Sequence, residues 1–417
     1  MLFIYRVLIN LVFILSPLII FIRILKKKEN PKRFKEKLGF FSNERGKGKL
    51  IWFHGASVGE IKSIIPLIEK LEKNKQFSKI LTTSNTLSSS KIFQQYKFKK
   101  TIHQFFPIDT NLLSESFLNY WRPSLALFVD SEIWPNMFLN LKKKKIPTVL
   151  INGRITKKTF AKWSLLPKFS QKIFSIFSLC LSSNKETKKF LSKLGAKKIK
   201  FFGNLKFSQS ENENTKTNDN LKKFFNSKKV WCASSTHRDE EIFCGKVHNE
   251  LKKKYKNLVT IIIPRHIERV ELIKSQLEKL KLNVQLHESK KKINNNIDIY
   301  IVDSYGKTKS FYNYCKNVFL GGSLISHGGQ NPLEAARYGC NILHGAYVDN
   351  FREIYNFLKL NKISTKVSNK KEMYNLLNKL FIKKSSSKKI QKKINIIGQN
   401  ILKNTYQELN ILLKNEI

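Results

Sequence analysis

Cysteine is sparse in this chain of 417 residues. The five cysteines (Cys180, Cys232, Cys244, Cys315 and Cys340) are far apart and odd in number, and none forms a CxxC pair. That excludes a disulfide framework and a structural zinc site of the usual spacing, and it favours a reducing compartment. The eight histidines contain no HExxH and no accompanying carboxylate pattern of a metal site, so no metal and no cofactor is expected. An RNP-type aromatic motif, zinc-finger spacing and a concentrated basic helix are also missing, which argues against a nucleic-acid reader. Acidic residues are few. Thirty Asp and Glu stand against 78 Lys and Arg, for a formal charge of +48. Such a field favours anionic partners, whether nucleic acid, phosphorylated substrates or an anionic membrane face. The excess is mostly lysine spread over the whole chain beside many Asn, Ile and Phe, a pattern that biased codon usage also produces, and both explanations stand.

A hydrophobic content of 41% with 31 Phe indicates a folded protein, and the length favours two domains over one. Residues 2–25 are mostly apolar, interrupted by Arg6, Asn10, Ser16, Pro17 and Arg23, and Lys26-Lys27-Lys28 comes directly after them. The stretch is about long enough to span a bilayer, and the positive-inside rule puts the rest of the chain in the cytoplasm. A cleaved signal peptide is the competing reading, but a small-x-small cleavage site is lacking. From Lys49 to about Phe207 strand and helix patterns alternate, with strands expected at 50–54, 79–83, 125–130, 148–152, 178–182 and 200–202. Residues 208–220 contain no apolar side chain and read as a linker. A second alternating series comes next, with strands at 230–233, 258–264, 284–287, 297–303, 317–320 and 341–344, before a helical tail. The expected organisation is an anchor (1–28), a first domain (29–207), a linker (208–227) and a second domain with C-terminal helices (228–417). The rhythm implies α/β domains with mainly parallel sheets, whose ligands sit at the carboxyl ends of strands.

The informative stretches fall at those strand ends. Gly321 to Glu334 (GGSLISHGGQNPLE) joins an apolar strand to a helix that Asn331 caps and Pro332 opens. Glycine backbone at a helix N-terminus suits a phosphate, and Glu334 one turn in suits ribose hydroxyls; the alternative is an ordinary tight turn. In His54 to Glu60 (HGASVGE), small residues let a ligand approach the backbone. Glu60 at the helix start is either a general base toward a hydroxyl or a complement to the helix dipole. Ser131-Glu132-Ile133-Trp134-Pro135 offers a carboxylate and an indole for a sugar or lipid head group, or equally a capped helix with a packed Trp. Arg265 in Pro264-Arg265-His266 is placed to meet a phosphate or carboxylate with a bidentate fork, or is a surface arginine. Ser234-Ser235-Thr236-His237 supplies hydroxyls to an anion or caps a helix.

Taken in order along essentially the whole chain, HGASVGE (54–60), SEIWPN (131–136), NGR (152–154), PRHIER (264–269) and GGSLISHGGQNPLEAARYG (321–339) resemble the 3-deoxy-D-manno-oct-2-ulosonic acid (Kdo) transferase family of bacterial lipopolysaccharide synthesis. The resemblance implies a GT-B glycosyltransferase, with two Rossmann-like doubly wound domains facing a cleft and an N-terminal membrane anchor helix. It implies inverting transfer of Kdo from CMP-Kdo to the lipid A precursor, lipid IVA, at the cytoplasmic face of the bacterial inner membrane. Carried over motif by motif, Glu60 is the catalytic base and Ser57, Gly59 and Glu132 bind the acceptor. Arg265, Gly321, Gly322, Ser323, Asn331, Glu334 and Asn350 bind the donor. The expected partners are CMP-Kdo, lipid IVA and anionic inner-membrane lipids, with no nucleic acid. The chain departs from the family's pattern at Ala233-Ser234-Ser235-Thr236-His237, at His266-Ile267-Glu268-Arg269 and at Gln330, where a histidine is common. The alternatives are another membrane-associated GT-B transferase with a different nucleotide sugar, or a basic non-catalytic protein that binds membrane or nucleic acid.

Overall fold

The computed structural model describes residues 1–209, 219–288, 293–383 and 386–416. They form two compact units, one of residues 1–210 with 397–417 and one of residues 211–396.

The first unit opens with α1 (Leu2–Leu25), a 24-residue helix with Pro17 inside it. By length and composition it could cross a membrane, and little of it is buried. A parallel seven-stranded sheet is built from β1 (Leu50–His54), β2 (Lys79–Ser84), β3 (Thr101–Phe105), β4 (Leu125–Val129), β5 (Thr148–Gly153), β6 (Leu179–Ser182) and β7 (Ile199–Phe201), in the order 3-2-1-4-5-6-7. Every residue of β1, β4 and β5 is buried. Helices cover both faces, so the central strands read as unbroken apolar runs rather than alternating ones. The core is aromatic: Trp52, Phe117, Trp121, Phe128, Phe138 and Phe174 are each at most 1% exposed.

The second unit repeats the plan with β8 (Lys229–Thr236), β9 (Leu258–Pro264), β10 (Val284–Leu286), β11 (Ile299–Ile301), β12 (Asn317–Leu320), β13 (Asn341–His344) and β14 (Ser364–Lys366). Their order is 10-11-9-8-12-13-14, again all parallel. Each sheet has one central point where the strand order reverses, between β1 and β4 in the first and between β8 and β12 in the second. Parallel α/β sheets open a crevice at the carboxyl ends of the strands there.

Three features differ from the sequence reading. Strands β3 and β14 lie at sheet edges and were not expected, because Thr101, His103 and Gln104 interrupt β3 and all three residues of β14 are polar. The expected linker 208–227 is shorter. Ser208 ends a 3-10 turn and residues 219–226 form a helix that buries Leu221 and Phe225, while residues 210–218 lie outside the described residues. The closing helix (Ser387–Glu416) does not belong wholly to the second unit, since residues 397–417 group with the first. There Lys200 Nζ meets Glu408 Oε1 at 2.5 Å, and a side chain at Gly203 would strike Ile401.

Candidate active site

In the first unit the chain leaves β1 at His54 and enters α2 (Val58–Glu72). Ser57 is the N-cap. Its hydroxyl accepts from Glu60 N at 3.3 Å and donates to Glu60 Oε1 at 2.7 Å, while Glu60 Oε2 accepts from Ala56 N at 2.8 Å. This is a variant of the capping box, with Glu60 folded back over the helix start onto the amide just before the cap. The carboxylate is half-buried, and its pKa is pushed up to about 7, first by burial and next by the charge of Glu132; the bonds from Ser57 and Ala56 oppose the rise. A proton affinity near neutrality is what a general base needs. The helix-dipole reading of Glu60 is accurate geometrically but does not account for the neighbouring carboxylate.

Glu132 stands on the loop between β4 and α3 (Pro135–Lys143), the other strand of the reversal point. Pro135 does open that helix, as one reading of SEIWPN expected, and the motif also forms a polar network. Trp134 Nε1 lies 3.1 Å from both Glu132 Oε2 and His54 Nε2, and His54 Nε2 lies 3.3 Å from Glu132 Oε2. On the far side of the buried imidazole, His54 Nδ1 is 2.9 Å from Thr83 Oγ1, which accepts from Trp52 Nε1 at 2.9 Å. One proton arrangement satisfies the chain with Glu132 ionised: His54 Nε2–H and Trp134 Nε1–H both donate to Glu132, and Thr83 O–H donates to His54 Nδ1. Glu132 is thus anchored from the core. Gly59, on the exposed side of the first turn, has nothing within 4 Å of where a Cβ would stand. Packing alone therefore gives no reason for glycine there.

In the second unit, β12 runs into Gly321, beside the loop that leaves β8. A Cβ at Gly321 would fall 2.5 Å from Ser235 O and 2.7 Å from Glu240 Oε2, so close packing demands glycine. Glu240, absent from the sequence-based set, organises this turn from the first residue of α4 (Glu240–Lys254). Its Oε2 accepts from His237 N at 2.9 Å and Gly322 N at 2.7 Å, and its Oε1 accepts from Ser323 N and Leu324 N, both at 3.1 Å. A protein carboxylate thus occupies the amides of Gly322, Ser323 and Leu324, while the helix start after Asn331, where a phosphate was expected, is a separate part of the stretch. Ser323 is fully buried, with its hydroxyl donating to Leu320 O and accepting from Gly345 N. The amides of Gly321, Gly322 and Ser323 and the Ser323 hydroxyl are thus bonded within the protein, and these residues shape the loop.

What gathers on this loop is basic. The ring of His237 is 4.1 Å from that of His327 and 5.8 Å from that of His266. Burial first, then His327, His266, Arg265 and Arg269, hold its pKa down to about 4. Arg265 is exposed, and among the described residues its guanidinium has no hydrogen-bond or ion-pair partner. Asn350 Nδ2 donates to His327 O at 3.3 Å, so the late loop reaches the same place. Asn331 Oδ1 accepts from Leu333 N at 3.1 Å at the start of the short helix α5 (Leu333–Arg337), and Glu334 stands half-buried in its first turn. The structure therefore puts Arg265 near His237 and Asn350 on His327, with Asn331 and Glu334 at the start of α5. It adds His237, His266 and His327, whose signal in the sequence was their position just beyond strand ends. Among the described residues no group of three or more His, Cys, Asp or Glu is arranged to hold a metal ion.

Comparison with known proteins settles the family. The model of the 3-deoxy-D-manno-octulosonic-acid transferase (kdotransferase) family matches residues 32–209. A probable mitochondrial 3-deoxy-D-manno-octulosonic acid transferase of Arabidopsis thaliana is 32% identical over 98% of this chain and 96% of its own length. The 3-deoxy-D-manno-octulosonic acid transferase of Rickettsia bellii is 33% identical over 88% of each chain. The chain belongs to the Kdo transferase family. It is a glycosyltransferase. Among solved structures, a putative UDP-N-acetylglucosamine 2-epimerase of Listeria monocytogenes matches with a TM-score of 0.62 at 12% identity, covering 89% of this chain and 98% of that one. The UDP-GlcNAc 2-epimerase of Neisseria meningitidis matches at 0.59 and 16% identity, over 88% and 100%. These likenesses show the GT-B-type pair of Rossmann-like units. In this Kdo transferase family member, Glu60 and Glu132 stand at the reversal point of one sheet and the basic cluster at that of the other.

Proposed function

We propose that the protein transfers Kdo from CMP-Kdo to the lipid A precursor lipid IVA in lipopolysaccharide synthesis, at the cytoplasmic face of the bacterial inner membrane. The observation that carries this reading is the Glu60 carboxylate, capped at the start of α2 and carrying a pKa of about 7 beside a second carboxylate. As the acceptor hydroxyl attacks the anomeric carbon of Kdo, its oxygen forms the new C–O bond and its proton passes to Glu60. The bond from the anomeric carbon to the CMP phosphate oxygen breaks, CMP leaves with the electron pair, and the configuration inverts. Glu132, held by His54 and Trp134, orients the acceptor sugar, while Ser57 and the uncrowded backbone at Gly59 give it room. Arg265 and the His237–His266–His327 cluster meet the phosphate and the Kdo carboxylate, Asn331 and Asn350 line the donor, and Glu334 faces the ribose. The apolar helix α1 and the basic surface hold the enzyme at an anionic membrane, where its lipid acceptor is concentrated.

The test is donor competition. Purified protein with lipid IVA is offered CMP-Kdo or a panel of UDP-sugars, and the lipid is weighed by mass spectrometry. A mass gain of one or more Kdo units from CMP-Kdo alone supports the proposal, and a gain only from a UDP-sugar overturns it.

A further inference from the structure

Both ends of α1 are tied to the globular part of the first unit. At its start, Tyr5 OH donates to Asp109 Oδ2 at 2.7 Å, and Arg6 donates to Asn136 Oδ1 and Asn111 Oδ1, both at 3.0 Å. These are core ties. Asp109 is fully buried, and its carboxylate also accepts from Asn136 N, Met137 N and Ser114 Oγ. At the other end, Arg23 Nε meets Glu29 Oε2 at 3.2 Å. The same buried oxygen takes Lys37 Nζ at 2.6 Å, and Lys37 donates to Asn85 O at 3.0 Å. The less exposed positions, Leu2, Tyr5, Arg6 and Ile9 in the first half and Ser16, Ile20, Arg23 and Ile24 in the second, recur mostly at three- and four-residue spacing, with residues 10–15 exposed between the two groups. They form one stripe along the helix. The remaining faces are bare: Phe3, Leu8, Ile14, Leu18, Phe21 and Leu25 are each more than half exposed.

A helix of this length is about 36 Å long, enough to carry one end across a hydrocarbon layer of about 30 Å. A crossing would put either Arg6 or Arg23 beyond reach of its partners. For the start of the helix, it would also strip Tyr5 from a buried carboxylate and leave Asp109 with an empty acceptor. We infer that α1 lies flat in the surface of an anionic bilayer, its less exposed stripe docked on the first unit through Tyr5, Arg6 and Arg23 and its bare faces in the acyl layer, with both ends on one side of the membrane. The inference rests on the membrane reading above and adds an orientation to it. The exposed run Lys26-Lys27-Lys28, with Lys32 and Lys35, sits at the end of the helix, where it meets anionic headgroups. All the ties go to segments that come after β2, β3 and β4: Asn85, Asp109 and Asn111, and Asn136. In a parallel sheet these are on one edge, which is also the edge where β1 delivers Glu60. The bilayer surface and the catalytic carboxylate therefore share an edge of the sheet, so a lipid acceptor reaches Glu60 without leaving the membrane.

The test uses the full chain added from outside to preformed vesicles of phosphatidylethanolamine and phosphatidylglycerol. The five native cysteines are buried, so a cysteine-bearing tag ahead of Met1, or one after Ile417, can be labelled selectively with a membrane-impermeant maleimide. Flotation with the vesicles, and equal labelling of both tags before lysis, is the expected result. Flotation with the leading tag protected until lysis and the trailing tag labelled would overturn the flat orientation while leaving membrane binding intact. Protein that stays below the vesicles would overturn both.

Discussion

Glu132 raises the proton affinity of Glu60, and the two carboxylates come from loops at the ends of neighbouring strands of one parallel sheet. Ionised Glu60 is the working form of a base, so kcat/KM for transfer should rise as pH passes through about 7. Replacing Glu132 with Gln removes a negative charge and should move that limb to lower pH. It should also raise the KM for the acceptor. A pH–rate profile for each enzyme checks this, and an unmoved midpoint in Glu132→Gln would break the link between the two carboxylates.

Gly59→Ala separates packing from binding. The site is open and lies in the first turn of a helix, so the alanine should leave the fold intact or stabilise it by about 0.5 kcal/mol. If the exposed turn is where the acceptor lies, the KM for the lipid should rise several-fold with the KM for CMP-Kdo unchanged. Thermal melts and steady-state kinetics read the two effects independently.

Arg265→Ala should leave the melting temperature unchanged, because the side chain is exposed. Loss of a charged bond to a phosphate or carboxylate is worth about 1.5–3 kcal/mol, which corresponds to a rise of about 10- to 150-fold in the KM for CMP-Kdo. Lysine at the same position should recover only part of it, since an ammonium lacks the planar fork. Donor titrations of the three proteins decide the point.

Because arginine and histidine meet the leaving phosphate in this account, exhaustive dialysis against a chelator should leave turnover within about twofold of the untreated enzyme. Recovery of a large loss by added Mg²⁺ would assign that charge to a metal instead.

The parts of this protein that could be read from its sequence are those with dense local signals. Strands such as β9 and β12 are mostly apolar runs, broken only by Thr260 and by the leading Asn317 and closed by Pro264 and by Gly321, and their limits were legible to the residue. The place of Glu60 at a helix start was legible because an apolar strand runs through small residues straight into a helical pattern. Strands β3 and β14 were hidden because polar residues, Thr101, His103 and Gln104 in the one and Ser364 to Lys366 in the other, leave no apolar run to read. Glu240 was hidden for another reason: nothing near it in sequence tells that its carboxylate will occupy amides of a glycine turn far along the chain. That contact takes up the amides of Gly322 to Leu324. The pattern for an anion nest is the same whichever anion fills it, and here the protein supplies its own. The histidine cluster likewise exists only after β8, β9 and β12 have been laid side by side.

The most direct test of the central claim is Kdo transfer to lipid IVA by wild type and Glu60→Gln, paired with thermal melts across pH. Glu60 has a folded-state pKa of about 7 against 4.5 for the ordinary group, so its ionised form opposes folding. That penalty is absent below about pH 4.5, grows as pH rises, and is complete above about 7. Glutamine removes the ionisation. The account predicts a Glu60→Gln protein that is folded, melts higher than wild type at pH 8 but not at pH 4, and has lost at least 100-fold in kcat. A folded Glu60→Gln enzyme that transfers Kdo at the wild-type rate would contradict it.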